Sequence, residues 1–238
     1  MPAGPPPAPR RRAAVRLPLT LSAVVLLGTG CGVGAPSTAP PAGIDGLVVP
    51  TPRPDPADFV DGVDNPWFPL APGSEWTYET PDGGTVVVAV TGTEPVAGIG
   101  ATAVATTERG AGGRTVEEST AWYAQDREGN VWLLGEEGTW VAGEAGAQAG
   151  VVMPATPRVG DGFAQELAPG VAEDERRVLS LDAQRTTSYD VLDSLVQVED
   201  TSGLEPGVTS EAFFARGIGL VLREGQEGDL ELVDLTRG

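Results

Sequence analysis

Oxygen-bearing side chains are where chemistry would have to come from in this chain. DREGN at 126–130 places Asp126, Glu128 and Asn130 at alternate positions around Gly129. Oxygen ligands spaced i, i+2, i+4 can cup Ca²⁺, but a full calcium loop needs a later acid and a differently placed Gly. Asp, Gly and Asn are equally the residues of a hairpin turn, and the turn is the favoured reading. Asp61, Asp64 and Asn65, just ahead of Pro66, take the same loop reading. The pairs Glu117/Glu118 and Glu136/Glu137 do not suit acid/base work. A glycosidase holds two carboxyls about 5–10 Å apart across a substrate, whereas neighbours on a strand point to opposite faces. No metal ligand and no catalytic residue stands out.

The residue types that are missing exclude more. The chain has no His and one Cys, and all 15 of its basic residues are Arg. A serine nucleophile would have neither a His nor a Lys base, and Schiff-base and P-loop lysines are excluded. GIG at 98–100 and 217–219 lacks the third Gly and the helix of a dinucleotide loop, so each reads as a turn or bulge. No enzyme activity and no cofactor are expected. The aromatics are the remaining candidates. Trp67, Phe68, Trp76, Trp122, Trp132 and Trp140 are either core or the lining of an apolar ligand cavity. Core is the default, and the five Trp are the weak candidates for ligand contact. Trp122 and Trp132 flank the 126–130 turn as possible cross-strand neighbours.

The elements that would position these residues are strands. EWTYET (75–80), a PDGG turn (81–84) and TVVVAVT (85–91) form a hairpin, since Asp-Gly-Gly supplies the positive φ of a tight reversal. ATAVATTE (101–108), GAGG (110–113) and TVEESTAWYAQ (115–125) form another, continued by VWLLGE (131–136). Later strand segments lie at 176–184, 188–200, 211–224 and 229–236. In the 211–224 segment Phe214, Ile218, Leu220 and Leu222 share parity, as one half-buried strand requires. Helical turns are allowed near 57–60 and within 165–175, and the Gly/Pro-rich 143–170 reads as a long loop able to cover a pocket. The expectation is a mainly β domain: a curved antiparallel sheet or half-open barrel with one or two short helices, over residues 58–238.

The N-terminus reads as an address. Arg10, Arg11, Arg12 and Arg16 precede an apolar run of 11 residues, LPLTLSAVVLL, and then GTGC ending at Cys31. A basic start, a short apolar stretch and small residues before a cut site make a secretory signal. The run falls short of the roughly 20 residues a membrane span needs. Thr29, Gly30 and Cys31 resemble a bacterial lipobox, with Gly28 where that pattern usually carries an aliphatic residue. The resemblance implies a signal over 1–30, lipid attachment on Cys31 and a cell-envelope location on the outer face of the membrane. Secretion after cleavage nearby is the alternative. Residues 31–57 hold seven Pro from Pro36 to Pro56 and read as an extended tether. Without the first 30 residues the chain has 34 acids against 11 Arg, a formal charge of −23. That charge argues against a nucleic-acid partner.

Four blocks carry a further resemblance: VDNPWFPLAPGSEWTYE (63–79), AWYAQDREGNVWLLGE (121–136), WVAGEAGAQAGVVMPATPRVGDGFAQE (140–166) and FFARGIGLVLRE (213–224). They resemble a family of uncharacterised actinobacterial lipoproteins. At the level of fold, the sheet-forming half is similar to half-barrel envelope lipoprotein carriers. The resemblance implies no activity and no catalytic residues. The expected function is therefore a membrane-anchored exported lipoprotein whose non-catalytic β domain binds an apolar or lipid-like ligand. An envelope protein–protein interaction or structural role is the alternative, and a carboxylate- or metal-dependent hydrolase stands behind both.

Overall fold

The structure is a computed structural model that describes residues 55–226 and 228–238. The signal, Cys31 and most of the Pro-rich tether lie outside the described residues. One 3₁₀ turn, Pro56–Asp58, is the only helical element among those residues; the Asp55 carboxylate caps it by accepting from the Ala57 N–H. Everything else regular is strand: β1 Phe59–Val60, β2 Glu75–Glu79, β3 Thr85–Val96, β4 Ile99–Arg109, β5 Thr115–Asp126, β6 Val131–Glu136, β7 Trp140–Val141 and β8 Gln148–Met153. There follow β9 Gly162–Ala164, β10 Glu166–Leu167, β11 Asp174–Thr186, β12 Val191–Ser202, β13 Thr209–Ala215, β14 Gly219–Gly225 and β15 Leu230–Thr236.

All pairings are antiparallel, and the path runs β10-β8-β6-β5-β4-β3-β2-β15-β14-β13-β12-β11-β9. Its two ends are one stretch of chain. Gly162–Ala164 pairs with β11 and Glu166–Leu167 pairs with β8, so the strand changes partner at Gln165 and draws the sheet into a nearly closed barrel. The expected mainly β, curved antiparallel architecture is what the chain adopts. Gly150 permits the closure: a Cβ there would stand 2.1 Å from the Gln165 carbonyl oxygen. Arg176 locks the same seam. Its guanidinium donates to both oxygens of Asp200, 2.7 Å each, and to the Val152 carbonyl at 2.8 Å.

Alternation along the strands lines the interior. Trp76 and Tyr78 on β2, Val86 and Val88 on β3, and Ala121 and Tyr123 on β5 all face one inner space, as period-two geometry requires. One end of the barrel is plugged by the 61–74 loop. Asn65, 2% exposed, donates to the Gly129 and Pro154 carbonyls, while its own oxygen accepts from the Trp67 N–H. The Gln125 oxygen accepts from the backbone N–H groups of Asp64 and Asn65. These bonds press Phe68 inward, its ring centroid 5.3 Å from that of Tyr123 and 6.3 Å from that of Phe214.

Three local expectations need correction. The 211–224 segment is two strands, because the chain reverses at Gly217, whose φ is 73°, and the Ile218 N–H closes the turn on the Ala215 carbonyl. Shared parity across a turn carries no information about facing. Indeed Phe213 and Phe214 are both fully buried: Phe214 faces the interior, and the Arg185 guanidinium covers Phe213 at 3.8 Å from the ring centroid. The 143–170 segment is not a covering loop; it supplies β8, β9 and β10. The 165–175 stretch holds no helix; it carries β10, an Ala168–Ala172 bridge and the start of β11.

Candidate functional site

The inner space is a cavity of about 330 Å³, within the usual range of small-molecule pockets. Phe68, Pro69 and Leu70 lie on its plugged side, and Val88, Val104, Leu133, Phe214 and Leu220 form much of its wall. At the other end it adjoins a vestibule of about 850 Å³ bounded by the β2–β3, β12–β13 and β14–β15 turns; Asp174, Arg176, Asp200 and Arg223 line both spaces. An apolar chamber thus opens through a charged collar.

Two aromatic side chains strengthen a sparsely paired seam. β14 and β15 share only two registered pairs, Leu222 with Glu231 and Arg223 with Leu230. Beyond them, Trp76 Nε1 donates to the Ile218 carbonyl at 2.7 Å and the Tyr78 hydroxyl donates to the Leu220 carbonyl at 3.1 Å. Both side chains satisfy backbone acceptors while presenting their rings to the cavity. Burial raises the Tyr78 hydroxyl well above its ordinary range.

The collar contains carboxyls with no compensating partner. Glu166 lines the cavity, and among the described residues its carboxyl has no hydrogen bond or ion pair. Burial, then the nearby charges of Asp174 and Glu136, push Glu166 up to about 7. Tyr123 sits beside it: burial first, then the Glu166 charge, push its hydroxyl up to about 12, and that hydroxyl has no hydrogen bond among the described residues. Arg176 does not relieve Glu166, because the guanidinium is committed to Asp200 and Val152. Chemically, the collar can exchange a proton near neutrality at Glu166 and attract positive charge.

Of the five Trp candidates, only Trp76 lines this cavity. Trp67 packs at the edge of the core with the Arg216 guanidinium 5.4 Å from its ring. Trp122 donates to Glu94 Oε1 at 2.6 Å, on the solvent side. Trp132 is buried and donates to Asp126 Oδ2 at 2.8 Å. Trp140 is buried, and its Nε1 has no hydrogen-bond partner among the described residues. Trp122 and Trp132 are not directly opposed; their registered partners are Gly135 and Ala124.

The oxygen clusters are structural. Asp126 accepts from the Asn130 N–H, from Asn130 Nδ2 and from Trp132 Nε1, all at 2.8–2.9 Å, so DREGN is a locked hairpin turn. Asp64 and Asn65 belong to the plug, where Gln125 Nε2 donates to Asp64 Oδ1 at 2.6 Å. Glu117 and Glu118 are exposed on β5. Among the described residues no three acidic or thiol side chains converge as metal ligands would. Glu166, Asp174, Arg176, Asp200 and Arg223 were not singled out by the sequence. They come from β10, β11, β12 and β14, and only barrel closure brings them together.

No family model and no curated protein matches the chain. Two solved structures are similar to it. One is a presumed exported protein with a YmcC-like fold from Bacteroides fragilis, 13% identical, covering 72% of this chain and 99% of its own, with a TM-score of 0.46. The other is a presumed lipoprotein from Parabacteroides distasonis, 12% identical, covering 74% of this chain and 100% of its own, with a TM-score of 0.44. At these values neither similarity establishes an activity, a ligand or a location for this chain.

Proposed function

We propose that this is an exported protein held at the outer face of the cell membrane by lipid on Cys31, with a non-catalytic barrel that binds an apolar or lipid-like ligand. The single observation that carries the binding reading is the cavity of about 330 Å³, walled by Phe68, Val88, Val104, Leu133 and Leu220, inside the nearly closed barrel. Side chains fill a barrel of about eight strands, and a longer path such as this one encloses room for a ligand. Apolar walls that no side chain packs against forfeit contact energy, and an apolar guest restores it. The anchor reading rests on the basic start, the 11-residue apolar run and the position of the lone Cys.

A neutral apolar dye, N-phenylnaphthylamine, tests the binding site. Its fluorescence should rise with the wild-type chain and fail to rise with Ala121→Phe, which projects a ring into the cavity. Equal response from both forms would remove the interior as the site. For the anchor, Cys31→Ser should move the protein from the membrane fraction to the medium; unchanged membrane retention would overturn it.

A further inference from the structure

We infer that the cavity takes amphiphiles with a positively charged head: the apolar tail lies among Phe68, Val88 and Leu220, and the cationic head sits at Glu166 and Asp174. This rests on the reading of the interior as an apolar ligand site. It adds the chemistry of the head.

The argument is one of charge left uncompensated. Two carboxyls, Glu166 and Asp174, stand in the cavity wall, and neither has a hydrogen-bond or ion-pair partner among the described residues. Like charges brought together in a partly buried site oppose ionisation and cost stability. A third, Glu136, adds to the same field and belongs to the next strand but one, β6. Guanidinium groups could have neutralised them, but Arg176 is taken by Asp200. Arg223 lies on β14, with Tyr78 feeling its charge and Glu166 not.

The approach has the same sign. The vestibule is lined by six carboxylates, Asp82, Glu108, Asp174, Asp200, Glu205 and Asp229, against Arg176 and Arg223. An entry lined mainly by one sign concentrates ligands of the opposite sign. An anionic amphiphile would meet this field and then be desolvated beside Glu166. A metal ion is not the cation implied, since no three ligating side chains converge among the described residues. A diffuse organic cation needs no such convergence. It also gains from the Tyr123 ring, which stands in the cavity wall beside Glu166.

Titration of the purified full-length chain with decyltrimethylammonium, decanoate and 1-decanol separates head from tail. It should be done above the Glu166 midpoint of about 7, where that carboxyl is ionised. The expected result is an affinity for decyltrimethylammonium at least about tenfold above those for decanoate and decanol. Glu166→Gln and, separately, Asp174→Asn should erase most of that preference while leaving decanol binding unchanged. Decanol binding in each variant also shows that the variant has folded. Tight decanoate binding, or an undiminished cation preference in both variants, would overturn the head assignment and leave the apolar site standing. Failure of all three amphiphiles to bind would overturn the apolar site and this inference with it.

Discussion

Asp126 and Glu166 show opposite uses of a carboxyl. Asp126 is buried and fully used: three donors from Asn130 and Trp132 converge on it. Asp126→Ala leaves those donors unpaired, and a loss on the order of 3 kcal/mol is expected in denaturant unfolding. Asp126→Asn should recover part of it. Glu166 is half-buried and unused. Its folded value of about 7 stands above the ordinary 4.5, so the folded state favours the protonated form. Its contribution to stability is therefore fully present below about 4.5 and is lost as pH rises through about 7. Comparing unfolding midpoints of the wild type and Glu166→Gln across that window should show the wild type losing ground as pH rises. A constant difference between them would mean that Glu166 is not held up. The sequence makes the first carboxyl legible, since Asp126, Gly129 and Asn130 spell a turn within five residues. The second is illegible, because the groups that raise Glu166 come from β6 and β11.

At the scale of elements, the hairpins built on PDGG, GAGG and DREGN follow from local turn chemistry. In the first, Asp82 accepts from the Thr80 hydroxyl and the Gly84 N–H and so fixes the reversal; the same bonds hold its carboxyl below the usual range. What local chemistry does not announce is the closing stretch, β9 and β10, three and two residues long. Such short strands exist only because β8 and β11 are already there to receive them, so no periodicity betrays them. The reversal at Gly217 was obscured by apolar residues that happen to keep parity across it. Closure makes a sharp prediction. Gly150→Ala drives a Cβ into the Gln165 carbonyl, and because backbone must move, a cost of about 3 kcal/mol is expected. Hydrogen exchange should locate the loss in β8, β9 and β10, while the β2–β5 hairpins keep their protection. Arg176→Ala strands the partly buried Asp200 and should cost about 3–5 kcal/mol, concentrated in the same seam.

At the scale of the whole described domain, a plugged end, an apolar chamber and a charged mouth follow one another along the barrel. The plug is held by Asn65 and Gln125, the chamber by strand alternation, and the mouth by acids whose neighbours are remote in sequence. The apolar lining was half legible: strand text predicted an inner face, but five tryptophans were a poor guide to it, since only Trp76 reaches the cavity. Trp132 and Trp140 are buried away from the cavity, and Trp122 lies on the solvent side of the sheet. The cavity is filled or empty in the living cell, and that is directly measurable. Native mass spectrometry of the full-length chain purified from its own host, beside Ala121→Phe prepared in the same detergent, makes the measurement. The account predicts an additional mass on the wild type, absent from Ala121→Phe and lost on denaturation. A bare protein mass for both forms, or the same adduct on both, would contradict it.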